Sequence, residues 1–263
     1  MFDSGFGGLT VARALIDLLP DEDVVYFGDT ARYPYGPRSL PEVRDFASQI
    51  AGLLIRRHDV KMIVVACNTA AAAALDELRF EHDVPVLGVI DPGARAAVTA
   101  TRNGRIGVIG TVGTIGSGAY QRAVRATRAP VELTCTPCPG FVELVERDET
   151  ASEHAHALAR VRLAPLVEAG VDTLLLGCTH YPFLARTIAD VMGRDVVLVS
   201  SADETAFEVR GILADTGVGR RSGAGGAKGR HRFISSGDVH WFRTLGRRLL
   251  GPELDGVEEW RWN

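Results

Sequence analysis

Aliphatic runs of strand length alternate with amphipathic segments of helix length through nearly all 263 residues, and this alternation constrains the fold more than any other feature. A strand followed by a crossover helix returns parallel to its neighbour, so repeated strand-helix units build parallel sheets covered by helices. The runs predict strands at 24–27, 62–66, 84–87, 106–109, 131–134, 173–176, 196–199 and 232–235. Helices are expected near 8–19, 41–57, 69–81, 92–102, 114–127, 153–169, 183–192, 203–214 and 238–249. Pro41 and Pro92 suit first-turn positions, where the missing N–H has no helical partner to lose, and Asp91 suits an N-cap. The Gly- and Arg-rich stretch GVGRRSGAGGAKGRH, 217–231, breaks the pattern and reads as a flexible surface loop.

Two segments share one arrangement. VVACNTA at 64–70 and LLLGCTHY at 174–181 each set a cysteine, Cys67 or Cys178, where a strand ends and a helix is expected to begin. This weak internal repeat points to two similar α/β halves, with seams at GVIDPG (88–93) and VSSADET (199–205). The expected architecture is two pseudo-symmetric parallel-sheet α/β domains, 1–92 plus 206–263 and 93–205, with the active site in the cleft between them. The carboxyl ends of the strands would face that cleft, where open α/β sheets bind ligands.

Composition removes several function classes. Four cysteines in a chain this long do not make a disulfide scaffold. No stretch approaches the roughly 20 apolar residues that cross a bilayer, and the start lacks the pattern of a signal peptide, so a cytoplasmic protein without a membrane partner is expected. A net charge of −4 gives no reason to expect nucleic acid. Of 29 basic residues only Lys61 and Lys228 are lysines, one opening a strand and one in the Gly-rich run. Pyridoxal phosphate chemistry needs a lysine amine, which makes that cofactor improbable on inventory alone.

A thiol at a helix N-terminus sits among exposed N–H groups at the positive end of the dipole, which favours thiolate and makes a base usable near neutral pH. One such cysteine reads equally well as a buried small hydrophobe. Two at equivalent points invite a joint role: a thiolate on one face of a bound Cα removes its proton while a thiol on the other face delivers one. That is racemisation without a cofactor or metal. Asp3, in MFDSGFGG at 1–8, and His180 could carry protons to and from the two sulfurs, and bare backbone N–H groups near Ser4 could hold an anion. The long loop GDTARYPYG at 28–36 could cover a site, and Glu146 follows the helix-like FVELV. The glycines of GVIGTVGTIGSG, 107–118, fail the dinucleotide order, and CTPC at 135–138 has redox spacing but no second pair to complete a zinc site.

In FDSGFGGLTV, YFGDTARYPYG, VVACNTA, RIGVIGT, CPGFVELVE, LLLGCTHYP, VSSADETA and RFISSGD, the chain closely resembles the glutamate racemases of the cofactor-independent Asp/Glu racemase superfamily. The motifs run in family order over nearly the whole chain. The resemblance implies that Cys67 and Cys178 are the catalytic acid/bases, with Asp3, His180 and Glu146 as supporting groups. It implies substrate binding by Asp3, Ser4, Tyr35, Gly36, Asn68, Thr69, Thr179 and His180. It also implies glutamate as substrate, no cofactor, a homodimer, a role in peptidoglycan synthesis and, in some relatives, contact with DNA gyrase. Relatives carry several residues before Asp-Ser-Gly, whereas here only Met1 and Phe2 precede Asp3, so a central strand is expected to be missing and Asp3 poorly anchored. Gly140 and Glu143 stand where relatives often have larger apolar residues and Pro, which weakens Glu146 more than the cysteines. Three rivals remain: an aspartate racemase, disfavoured by His180 after GCT; a binding protein with the fold but no turnover; and thiol redox chemistry at Cys135 and Cys138.

Overall fold

The computed structural model describes residues 1–220, 228–254 and 256–262, so the middle of the Gly-rich stretch read as a loop lies outside the described residues. The chain divides into two compact units, Met1–Val89 with Ala202–Asn263, and Ile90–Ser201. No helix of the described residues is long and apolar enough to cross a membrane.

The first unit opens with β1 (Phe2–Asp3), α1 (Leu9–Leu18), β2 (Val24–Gly28), α2 (Leu40–His58), β3 (Ile63–Val65), α3 (Asn68–Glu81) and β4 (Val86–Gly88). Helix α2 begins where its sequence directs: the Ser39 hydroxyl accepts from the Glu42 N–H at 3.4 Å, with Pro41 in the first turn. It ends at Asp59, whose φ of 47° is left-handed.

The second unit runs through α4 (Ile90–Ala100), β5 (Arg105–Gly110), α5 (Val112–Gly116), α6 (Ala119–Ala126), β6 (Glu132–Pro137), α7 (Phe141–Glu146), α8 (Glu153–Glu168), β7 (Thr173–Gly177), α9 (Ala185–Met192) and β8 (Val197–Ser200). The chain then rejoins the first unit with α10 (Ser201–Thr216), β9 (His231–Ser235), α11 (Val239–Leu250) and β10 (Val257–Glu259).

Both sheets are parallel throughout, in the orders β10-β9-β2-β1-β3-β4 and β6-β5-β7-β8. Strands covered on both faces carry unbroken apolar runs, and Ile106, Val108, Ile109, Leu174 and Leu175 are all fully buried. Each such side chain contributes about 1.5–3 kcal/mol by leaving water.

Four expectations need correction. A central strand is not missing: β1 is only two residues long, yet it pairs on both sides, Phe2 with Phe27 and with Val65. Main-chain bonds from Asp29 N–H to the Asp3 carbonyl (3.0 Å) and from Ala66 N–H to the Phe2 carbonyl (2.9 Å) anchor it between its longer neighbours. The helix expected at 114–127 is two helices, because Gly118 at φ 70° takes a left-handed turn that ends one and starts the other. Asp91 lies inside the first turn of α4 rather than capping it. Cys178 does not open an α-helix: a turn and a 3-10 helix, Tyr181–Leu184, separate it from α9.

Candidate active site

Cys67 is the N-cap residue of α3, two positions beyond the end of the interior strand β3. Its Sγ accepts the Ala70 N–H at 3.4 Å, and the thiol donates to Ser4 Oγ at 3.7 Å. Asp3 ends β1 and is fully buried, its Oδ1 accepting the Gly5 N–H at 2.8 Å. Tyr26 donates its hydroxyl to the Gly5 carbonyl at 2.9 Å. Gly8 permits this packing, since a Cβ there would stand 2.6 Å from Asp3 Cβ and 2.9 Å from Ala66 Cβ. Asn68 and Thr69, the first two residues of α3, are buried beside the cysteine in sequence.

The expectation that a helix N-terminus makes Cys67 a ready thiolate is overturned. Burial, and after it the Asp3 charge, push the thiol up to about 11, against the smaller downward pull of the Ala70 N–H and Ser4. A cap supplies one long S···H–N bond, whereas burial removes the whole hydration shell of the anion. The resting state is a neutral thiol.

In the second unit Cys178 directly follows the interior strand β7, and its Sγ lies 4.0 Å from Nδ1 of His180. Both side chains, and that of Thr179, are buried. Burial alone drives His180 down to about 4, so the imidazole is neutral at physiological pH, with one ring nitrogen a hydrogen-bond donor and the other an acceptor. Gly177 lets the turn close: a Cβ there would meet the Ile109 carbonyl at 2.6 Å and Tyr120 Cε2 at 2.8 Å. Tyr181, next after His180, donates to the Cys138 carbonyl at 3.2 Å and packs edge-on against Phe141 of α7, with ring centroids 5.4 Å apart. Glu146 is half-buried at the end of that same helix.

The loop after β2 is organised around Asp29, a residue sequence reasoning passed over. Its buried carboxylate accepts from Arg32 Nε (2.7 Å), Ser236 Oγ (2.7 Å), Trp262 Nε1 (2.8 Å) and the Tyr35 hydroxyl. Tyr35 is therefore fixed by Asp29 through its hydroxyl, and its neighbour Gly36 is half-buried. The only signal in the sequence was position, since Asp29 is the first residue after a strand.

All four cysteines are free thiols. Burial pushes Cys135 up to about 11 and Cys138 up to about 12, which suits neither as a nucleophile in disulfide exchange. Among the described residues no three His, Cys, Asp or Glu side chains gather as a metal site would require.

The same construction thus occurs in both units: a buried thiol just beyond an interior parallel strand, with an ionisable neighbour two or more residues away in sequence. Residues 9–208 match the Asp/Glu/hydantoin racemase family. The chain belongs to that family. Its racemase relatives include a glutamate racemase from Acidothermus cellulolyticus, 52% identical over 258 residues that cover 98% of this chain and 96% of the relative. Among solved structures, a glutamate racemase from Bacillus anthracis is 41% identical, superimposes with a TM-score of 0.91 and is matched over 100% of this chain and 96% of its own. A Francisella tularensis glutamate racemase solved with D-glutamate is 32% identical, with a TM-score of 0.89 and coverage of 98% and 95%. The racemase family match takes in Cys67, Glu146, Cys178 and His180 and starts after Asp3 and Ser4. The chain is accordingly an isomerase acting on an amino-acid-type substrate.

Proposed function

We propose that the chain interconverts L-glutamate and D-glutamate with two thiols and no cofactor. Cys67 and Cys178 act on opposite faces of Cα, one removing the proton and the other delivering one. What carries this reading is the repeated placement of a buried thiol at an interior strand end in two parallel sheets, in a chain that resembles glutamate racemases over nearly its full length. Asp3 serves Cys67 and His180 serves Cys178, with Glu146 as a further acidic group on the second side. Ser4, Tyr35, Gly36, Asn68, Thr69 and Thr179 bind the substrate, Tyr35 through its ring and main chain because Asp29 holds its hydroxyl.

A thiol whose proton is held to about 11 is a weak base until substrate arrives. The α-ammonium of glutamate, placed near the Cys67 sulfur, offsets the Asp3 charge that raises the thiol and so favours thiolate where Cα can be attacked. Once formed, a thiolate of high proton affinity is the stronger base. The reaction would supply D-glutamate for peptidoglycan in the cytoplasm, and a homodimer is the expected assembly.

The test is to incubate the purified chain with L-glutamate in heavy water, with no added cofactor or metal, following optical rotation and Cα deuterium. Loss of rotation with deuterium at Cα is expected, and Cys67→Ala or Cys178→Ala each abolishes turnover while substrate still binds. Full turnover by either variant would refute the two-thiol mechanism. Faster turnover of aspartate in the same assay would refute the substrate.

A further inference from the structure

The four donors to Asp29 come from three parts of the chain. Arg32 and Tyr35 belong to its own loop, Ser236 follows β9, and Trp262 lies beyond β10. Strand β10 is one of the sheet's two edge strands, paired in register with β9, and Trp260 continues the pairing by donating its N–H to the Ser235 carbonyl at 2.8 Å. This places the Trp262 ring over the loop. The Arg32 guanidinium is stacked between two rings, 3.9 Å from the centre of Trp262 and 4.1 Å from that of Phe46. Trp262 also packs on Phe27 of β2, and Phe46 on Tyr35, with centroids 5.6 Å apart in each case. A half-buried indole thus holds a fully buried carboxylate that in turn holds Tyr35.

We propose that Trp262 is a positioning residue for substrate binding on the Cys67 side of the site: its Nε1–H fixes Asp29, and Asp29 fixes the Tyr35-Gly36 segment. The segment after β10 is a strap across the loop. A buried carboxylate that loses a donor rotates toward the donors it keeps, and here those include the Tyr35 hydroxyl, so the loop moves with it. The Arg32 stack adds a face-on contact that a phenylalanine ring would keep and an alanine would not.

The kinetic part of the test rests on the glutamate racemase reading, and the exchange part does not. Trp262→Phe removes the donor and keeps a ring over Arg32. Hydrogen exchange of the amides at 30–36 in the substrate-free protein should quicken by about fivefold or more, with the melting curve little changed. KM for glutamate should rise about three- to tenfold with kcat within about twofold, the pattern of lost binding rather than lost chemistry. In a Tyr35→Phe background the same change should add less than about twofold, because the route through Asp29 is already cut. Unchanged amide exchange would overturn the proposal, as would an unchanged KM, a fall in kcat alone, or full additivity with Tyr35→Phe. An unmodified chain that does not racemise glutamate would count against the substrate reading only, and the exchange comparison would still decide the role of Trp262.

Discussion

Asp3→Asn is the most informative single change, because its effect runs against the intuition that an acidic neighbour activates a catalytic thiol. Cys67 is held up to about 11 from an ordinary 9.0, first by burial and second by the Asp3 charge. Two units correspond to about 3 kcal/mol against the thiolate, and at pH 8 leave about one thiol in a thousand ionised where an ordinary one would have about one in ten. Alkylation of Cys67 should therefore be about a hundredfold slower than that of an exposed cysteine from ionisation alone. Asparagine can keep the Oδ1 acceptor for the Gly5 N–H while it removes the negative charge and turns the second carboxylate oxygen into an NH2 donor. Because burial remains and is the larger cause, the midpoint should fall but stay above the ordinary 9.0, and the rate at pH 8 should rise without reaching that of an exposed cysteine. Iodoacetamide labelling followed by peptide mass spectrometry over pH 7–11 reads Cys67 separately from the other thiols, and the midpoint separates ionisation from access. A midpoint that stays put or rises in Asp3→Asn would refute the account, since it would mean that Asp3 supports the thiolate.

His180 stays neutral down to about 4 when folded, whereas the unfolded chain protonates it near 6.5, so its neutral burial stabilises the fold above 6.5 and that stability is lost as pH falls from 6.5 toward 4. The loss amounts to about 3 kcal/mol. Urea titrations at several pH values should show a shallower acid decline in His180→Asn, and identical declines would contradict the assignment. Gly177→Ala would drive a Cβ into the Ile109 carbonyl at 2.6 Å and the Tyr120 ring at 2.8 Å, and should cost about 1–3 kcal/mol, read as a lower urea midpoint. A midpoint within error of the unmodified chain would show that the turn relaxes at no cost.

Most of the architecture was legible because strands buried on both faces must be apolar and the helices between them must be amphipathic, two periods that local sequence carries. The two thiols stood out for the same reason: each follows an aliphatic run directly, and a parallel strand's carboxyl end is where ligands meet the sheet. Elements that gain their order from neighbours were not legible. Strand β1 is two residues long and exists because β2 and β3 flank it, and β10 is ordered by β9. The break at Gly118 needed a backbone angle that a helical pattern does not declare.

The site divides along the same line. Residue type and order along the chain placed Cys67 and Cys178 just after aliphatic strands, with His180 two residues beyond the second, since those are facts about a few consecutive residues, whereas the anchoring of Asp3 came from the pairing of β1 with its neighbours. Proton affinity was decided by the fold, because desolvation depends on everything packed around a group and here overrides the helix end beside Cys67. So was the link from Trp262 to Asp29, 233 residues apart, which no local pattern records and which only the pairing of β10 on β9 brings about.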